Sequence, residues 1–231
     1  ARESQKRLEE RRIAAEIGPS ARVLAFSGVP DGPARAIIDS RQAGPGALFF
    51  GLPGRNTDGG AFAASVLAAG AWGAVVSREH EDADPGHGTL ISCDDPLAAM
   101  QRLARAWRDE LDCPVIAITG STGKTSTKDL TRAMVAQQRR VVATSQNLNT
   151  EIGLPLTILG APEDTEVLVL ELAMRGRGQI AELTEICRPD VGVIVNGREC
   201  EPQFHECLAG QGCDGQPACR LEHTHRFLGC A

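Results

Sequence analysis

Residues 115–126 read Val-Ile-Ala-Ile-Thr-Gly-Ser-Thr-Gly-Lys-Thr-Ser, an order that predicts a strand, a turn and a helix. The first four residues are apolar and mostly β-branched, as in a buried strand. Gly120 and Gly123 bracket the turn, and Lys124 and Thr125 open the helix. Backbone N–H groups in such a glycine turn point inward, and the helix N-terminus attracts negative charge. The stretch therefore predicts a cradle for the phosphates of a nucleotide.

Two side chains of this stretch have the chemistry that phosphates and magnesium require. Lys124 supplies a mobile cation, and Thr125 supplies a hydroxyl of the kind that ligates Mg²⁺ in phosphate-binding loops. Ile118 stands where the general eight-residue pattern has its first glycine, so the loop is a shortened variant. Because an apolar strand precedes the loop and a helical run follows it, we favour a nucleoside triphosphate site over a chance glycine-rich turn.

The chain up to Asn196 alternates short apolar strands with helical runs. Strands separated by helices of this length form mostly parallel sheets that are covered on both faces. We therefore predict an α/β fold, with a small N-terminal α/β domain followed by a partial central domain that carries the phosphate loop. The predicted strands are 36–39, 47–51, 73–76, 141–144, 167–171 and 191–195, and the predicted helices are 61–69, 96–111, 124–138 and 178–186.

Composition and pattern divide the chain into four predicted segments. Residues 1–33 form a helical or extended lead, 34–112 the first domain, 113–199 the central domain and 200–231 a tail. The tail contains five of the eight cysteines and has no helix or strand period. We expect it to be disordered.

The composition argues against two classes of protein. A net charge of −6 without a dominant basic patch is unlike a protein that binds nucleic acid. No apolar run approaches the length of a membrane span and no signal-peptide pattern opens the chain, so we expect no membrane insertion and a cytoplasmic location. Cys93, Cys113 and Cys187 have no base or metal partner by spacing, and we expect structural thiols there.

Three residues lie at the ends of predicted strands, at the edge where parallel sheets bind ligands. These residues are Gly120, Glu171 and Asn196. An acid at the end of an apolar strand rarely lacks a partner. Glu171 is either a magnesium ligand or an edge carboxylate paired with an arginine such as Arg175, and we favour the metal because Mg²⁺ prefers oxygen ligands.

Several motifs resemble the Mur ligase family over residues 34–196. In the first domain they are Asp-Ser-Arg at 39–41, Gly-Ala-Leu-Phe at 46–49 and Asp-Gly at 58–59. In the central domain they are the phosphate loop, Asn-Leu-Asn-Thr-Glu-Ile-Gly-Leu-Pro-Leu-Thr at 147–157 and Glu-Leu-Ala-Met-Arg at 171–175. The resemblance implies a ligase of peptidoglycan precursor synthesis. Such an enzyme phosphorylates a carboxylate with ATP, and an amine attacks the acyl phosphate. The implied partners are UDP-N-acetylmuramoyl-tripeptide and D-alanyl-D-alanine.

The resemblance also implies a role for individual residues, with ATP and Mg²⁺ as cofactors. Lys124 is the implied catalytic residue, and the metal ligands are Thr125 and Glu171. Nucleotide binding is implied for Gly120, Ser121, Thr122, Gly123, Lys124, Thr125, Ser126 and Asn149, and binding of the UDP-linked substrate for Ser40, Arg41, Asp58, Gly59 and Asn147. The alternatives are a helix cap and an exposed arginine at Ser40 and Arg41, and ordinary turn residues at the aspartate, glycine and asparagine positions.

The family pattern stops after Asn196. A histidine near the metal, a downstream lysine and the amine-binding domain are not found, so we expect little or no ligation by this chain alone. A reading-frame slip near Asn196 would explain the break. A zinc module of tail cysteines and histidines is the competing interpretation, disfavoured because no Cys-x₂-Cys pair occurs there. The alternative functions are a non-catalytic fragment that binds UDP-sugar or ATP, and another ATP-dependent amide ligase of the same superfamily.

Overall fold

The computed structural model describes residues 10–26, 32–54, 57–145, 147–176 and 178–196. Contacts divide the chain into two compact units, Ala1–Ala106 and Trp107–Ala231. The division falls within the helix Pro96–Leu111. The predicted tail at 200–231 and parts of the predicted lead lie outside the described residues.

The first unit contains a five-stranded sheet in the order β1-β5-β4-β3-β2. β1 is antiparallel to β5, and the other neighbours are parallel. The strands are β1 (Arg22–Ala25), β2 (Arg35–Ile37), β3 (Ala47–Phe50), β4 (Gly73–Ser77) and β5 (Thr89–Cys93). The helices are α1 (Glu10–Ile17), α2 (Ala63–Ala68) and α3 (Pro96–Leu111), with 3-10 turns at Ser40–Gln42, Gly59–Phe62 and Arg78–His80.

The second unit contains a four-stranded, wholly parallel sheet in the order β7-β8-β6-β9. The strands are β6 (Val115–Gly120), β7 (Val141–Ala143), β8 (Val167–Glu171) and β9 (Val191–Val195), and the helices are α4 (Lys124–Val135), α5 (Gly153–Leu159) and α6 (Gln179–Cys187). Ile118 of β6 pairs with Glu171, and Gly120 pairs with Val195. The ends of three strands therefore meet at one edge, and the predicted α/β fold with mostly parallel sheets is confirmed.

The sequence predicts a helical or extended lead at residues 1–33, but it does not predict β5 or the burial of the lead in the first unit. α1 and β1 lie in the predicted lead, where Ile13 and Ile17 are fully buried. β5 is buried along its whole length although it contains Thr89 and Ser92. The Ser92 hydroxyl accepts a hydrogen bond from Arg78 Nη1 at 2.8 Å, which satisfies it inside the protein. Because these polar residues interrupt the apolar run, the strand signal of β5 was too weak to detect.

Each unit contains one of the two tryptophans, and both are buried. Trp72 precedes β4, and its carbonyl accepts a hydrogen bond from Thr89 N at 2.9 Å. Trp107 lies in the second unit and donates from Nε1 to the Ala161 carbonyl at 3.0 Å. Both therefore contribute large apolar surfaces to the cores. In the described part of the chain, every helix is too short or too polar to cross a bilayer.

The three cysteines of the described residues are buried free thiols, as predicted. Burial raises the pKa of Cys93 to about 11 and that of Cys187 to about 12, and it also raises the pKa of Cys113. The thiolate is the reactive form of cysteine. These side chains therefore serve packing and have little nucleophilic character.

We expect Cys93, Cys113 and Cys187 to resist iodoacetamide in the folded protein at about pH 8, because burial keeps them protonated and inaccessible. Peptide mapping by mass spectrometry after labelling measures this. The same three peptides labelled in denaturant are the control. Fast labelling of Cys187 under native conditions would contradict the prediction.

Candidate nucleotide and metal site

The turn between β6 and α4 is built on two glycines in the left-handed half of backbone space. Gly120 has φ +141° and Gly123 has φ +83°. A Cβ on Gly120 would lie 1.9 Å from the Val195 carbonyl oxygen, so no other residue fits there without separating β6 from β9. Gly123 is the residue before the first turn of α4. The loop is therefore fixed by backbone contacts on the side of β9.

Asn196, the residue after β9, holds the loop between the two glycines. Asn196 Nδ2 donates to Thr122 Oγ1 at 2.7 Å, and the Asn196 carbonyl accepts a hydrogen bond from Ser121 Oγ. Lys124 Nζ donates to the Gly120 carbonyl at 2.5 Å, which folds the cation back over the loop. The predicted residues from Gly120 to Thr125 thus lie together at the N-terminus of α4, and Ser126 is exposed on its first turn.

Glu171 is only 3% exposed at the end of β8, and both of its carboxylate oxygens accept a hydrogen bond. Thr125 Oγ1 donates to Oε2 at 3.0 Å, and Asn149 Nδ2 donates to Oε1 at 2.9 Å. No ion pair joins Glu171 to Arg175 among the described residues, so the alternative of an arginine-paired edge carboxylate is not found. The Arg175 amide donates instead to Gln179 Oε1 at 2.6 Å.

The oxygen atoms of Thr125 and Glu171 fit a magnesium ion. Mg²⁺ takes oxygen ligands in octahedral geometry at 2.0–2.1 Å, which places adjacent ligands about 2.9 Å apart. The hydroxyl and the carboxylate are 3.0 Å apart at the N-terminus of α4, where phosphates bind in loops of this type. A hydroxyl and a carboxylate with this spacing suit a metal that also contacts phosphate.

Two residues of this region were not identified from the sequence. Thr144 accepts from the Glu171 amide at 2.9 Å through Oγ1, and Lys128 donates to the Thr144 carbonyl at 2.9 Å. The only available signal was the position of Lys128 one helical turn after Lys124. The motif at 147–157 contains both Asn147 and Asn149. Asn147 is exposed, whereas Asn149 donates a hydrogen bond to Glu171.

In the first unit, Asp39 and Arg41 form a tightly paired loop. Asp39 accepts from the Arg41 amide at 3.0 Å and from Arg41 Nη2 at 2.6 Å, so Asp39 rather than Ser40 caps the 3-10 turn Ser40–Gln42. The hydrogen bonds from Arg41 lower the pKa of Asp39 to about 2. The Arg41 side chain is 87% exposed, and its guanidinium remains open to a ligand on its outer side.

Asp58 organises a second loop of the first unit. Its Oδ1 accepts from the Gly60 amide at 2.8 Å, and its Oδ2 lies 3.0 Å from His80 Nε2. The amide hydrogen bond and the neighbouring imidazole lower the pKa of Asp58. A Cβ on Gly60 would lie 2.1 Å from His80 Cδ2, so the imidazole occupies the space beside this glycine. No sequence motif indicated that His80 would lie beside Asp58.

Two family models match the chain, and together they match more than half of it. The model described as Mur ligase family, catalytic domain, matches residues 36–108, and the model described as Mur ligase middle domain matches residues 118–207. The second match includes the phosphate loop and Glu171. It also extends past Asn196, into residues that the structure does not describe.

Curated relatives carry the name UDP-N-acetylmuramoyl-tripeptide–D-alanyl-D-alanine ligase. The Bacillus subtilis protein of this name is 40% identical over 165 residues, which are 71% of this chain and 36% of the relative. The Escherichia coli protein of this name is 36% identical over 172 residues, 74% of this chain and 37% of the relative. The chain thus spans about a third of the length of the curated relatives it matches.

A solved structure has the same fold over most of the described chain. The structure of MurF ligase from Thermotoga maritima in complex with ADP matches with a TM-score of 0.63 and 33% identity. The match covers 70% of this chain and 37% of that chain. The ADP in that structure is bound to the Thermotoga protein.

Gly120→Ala should lower the free energy of unfolding by more than about 1 kcal/mol, since a side chain is strained at this φ and collides with Val195. Urea unfolding followed by circular dichroism measures this. Gly176→Ala is the matched control, because a Cβ there meets nothing within 4 Å and the change should be nearly neutral. Equal stability of the two variants would contradict the close approach.

Asp58→Ala should cost about 1 kcal/mol of unfolding free energy near pH 7, because it removes a helix cap. The pKa of Asp58 is lowered in the folded protein, so its contribution is complete above the unfolded value and is lost as the pH falls through the folded value. Urea unfolding of both proteins from about pH 7 to about pH 2.5 should therefore show a shrinking difference. A difference that is as large at about pH 2.5 as at about pH 7 would contradict this role of the carboxylate.

Proposed function

Because this chain belongs to the Mur ligase family, we propose that its second unit binds ATP with Mg²⁺ and its first unit binds a UDP-linked sugar peptide. The single observation that carries the proposal is the Thr125–Glu171 pair, 3.0 Å apart at the N-terminus of α4. A phosphate-binding turn opens the same helix. At this position the Lys124 ammonium would face the phosphates, and the Glu171 carboxylate would face the metal.

The phosphates would be held by the backbone amides of the turn and by Lys124. Its Nζ contacts the Gly120 carbonyl and would turn toward a bound phosphate. Phosphoryl transfer depends on such positioning and on charge stabilisation. Lys124 is therefore the residue we assign to stabilising the transferred phosphoryl group.

Thr125 and Glu171 would hold the metal, with Asn149 orienting the carboxylate. A magnesium ion held by these residues would supply positive charge to offset that of the phosphates. The amide of Asn149 fixes Oε1, so Oε2 stays directed at the Thr125 hydroxyl. This arrangement orders the carboxylate before a ligand arrives, which lowers the cost of binding.

For the first unit, we assign the UDP end of the substrate to the loops of Ser40–Arg41 and Asp58–Gly59. The exposed Arg41 guanidinium suits a diphosphate, because arginine binds phosphate oxygens through paired donors. Asp39 accepts hydrogen bonds from Nε and Nη2 of that guanidinium, which orders the side chain. Asn147 is exposed in the second unit and has no assigned contact.

We propose that these two units belong to an ATP-dependent ligase that joins D-alanyl-D-alanine to UDP-N-acetylmuramoyl-tripeptide through an acyl phosphate. The names of the relatives support this reaction over other amide ligases of the superfamily. The reaction would then take place in the cytoplasm as a step of peptidoglycan precursor synthesis, on which cell-wall growth, cell shape and cell division depend. Because the chain spans about a third of those relatives, binding of nucleotide or UDP-sugar without ligation is the second candidate.

Lys124→Met should weaken binding of ATP in the presence of Mg²⁺ by at least about tenfold, since it removes a charge-assisted contact of the kind worth about 1.5–3 kcal/mol. Titration calorimetry with ATP measures the dissociation constant. Arg132→Met removes an exposed cation from the last turn of the same helix and should leave ATP binding unchanged. Equal ATP affinity of the wild type and Lys124→Met would overturn the nucleotide assignment.

A parallel titration with UDP tests the first unit, and Arg41→Met should weaken UDP binding while ATP binding is retained. Isotopically labelled D-alanyl-D-alanine then separates the two candidate functions. Incorporation of label that requires both ATP and the UDP-linked acceptor supports ligation, and binding without incorporation supports the second candidate.

A further inference from the structure

Lys128 is a buried lysine that the proposed function does not use. It lies one turn after Lys124 on α4 and is only 5% exposed. Its Nζ donates to the Thr144 carbonyl at 2.9 Å and lies 3.0 Å from Asp129 Oδ1. The Asp129 side chain is 63% exposed, so the buried contact of the ammonium is the one to Thr144. Burial of a lysine is costly unless its donors are used, and here the ammonium has two partners, the buried Thr144 carbonyl and the exposed Asp129 carboxylate.

Thr144 connects that carbonyl to the end of β8. It is 1% exposed, and all of its polar groups have partners. Its amide donates to the Val169 carbonyl at 3.1 Å, and its hydroxyl accepts from the Glu171 amide at 2.9 Å. Lys128 holds the remaining group, the carbonyl. Thr144 is therefore held by Lys128 of α4 on one side and by the Glu171 backbone on the other.

The segment that leaves Thr144 returns to the same carboxylate at Asn149. Asn149 Nδ2 donates to Glu171 Oε1 at 2.9 Å, and the Asn149 carbonyl accepts from the Ala173 amide at 2.9 Å. Residues 144 and 149 thus hold Glu171 by its backbone and by its side chain. The contact of Lys128 lies at the start of this segment.

We infer that Lys128 is a positioning residue for the magnesium ligands. By fixing Thr144 it holds the Glu171 backbone, and with it the carboxylate that Thr125 contacts; this role rests on the proposed Mg²⁺-ATP site. Partners behind a ligand set its orientation and tune metal affinity. A lysine that served folding alone would influence ATP binding equally with and without the metal.

Lys128→Met tests the inference, because methionine keeps an unbranched apolar stem and loses the ammonium. Titration calorimetry gives the ATP dissociation constant with Mg²⁺ and again with EDTA. We expect the constant with Mg²⁺ to rise about tenfold, the lower range for loss of an orienting partner, and the constant with EDTA to stay unchanged. Asp129→Asn is the matched control. It keeps the Lys128–Thr144 contact and should alter neither constant.

Thr144→Val provides an independent variant, since it removes the hydroxyl that accepts from Glu171 and keeps the side-chain shape. It should also weaken binding only when Mg²⁺ is present. The loss in the double variant should be smaller than the two single losses added, because both changes act on Thr144. If Lys128→Met does not fold by circular dichroism, the inference is judged on Thr144→Val alone.

Equal losses with Mg²⁺ and with EDTA, or no loss in folded variants, would overturn the positioning role and leave the ATP site intact. Absence of ATP binding by the wild type under both conditions would instead overturn the proposed function, and this inference with it. The two failures are therefore distinguishable in one set of titrations.

Discussion

The site depends on one close approach between backbones at the edge of the second sheet. Gly120 comes so near the Val195 carbonyl that a single carbon atom added to it would overlap the oxygen. β6 can end in a tight turn only because β9 lies directly beside it and Asn196 holds the hydroxyls of the loop. The phosphate loop is therefore a product of two strands that are distant in sequence, and its shape is not a property of residues 120–125 alone.

A buried carboxylate is the second constraint on this edge. An ionised acid inside a protein is expensive unless its oxygens are hydrogen-bonded. Glu171 meets this condition with two neutral donors, Thr125 and Asn149, and forms no ion pair among the described residues. Both of its carboxylate oxygens are thus hydrogen-bonded within the protein. The same hydrogen bonds that stabilise this buried acid also fix the direction of its oxygens, on which the proposed metal site depends.

The parts of this protein that sequence could predict are those with local signals. β8 was predicted with the bounds that the structure shows, because Val167–Glu171 is an unbroken apolar run that stops at an acid. Lys128 and Thr144 look like ordinary polar residues, since their partners are supplied by the packing of α4 on the sheet. Asn147 and Asn149 are the same residue two positions apart, and only the tertiary path of the chain separates an exposed side chain from one that orients Glu171.

The placement of the two tryptophans has a practical consequence for spectroscopy. The chain contains no tyrosine, so its near-ultraviolet emission comes almost entirely from Trp72 and Trp107. Each indole is buried in a different unit, and replacing one of them leaves a chain whose emission reports on the other unit alone. A pair of single-indole proteins would therefore reveal whether the two units lose their tertiary packing in one cooperative step or in succession.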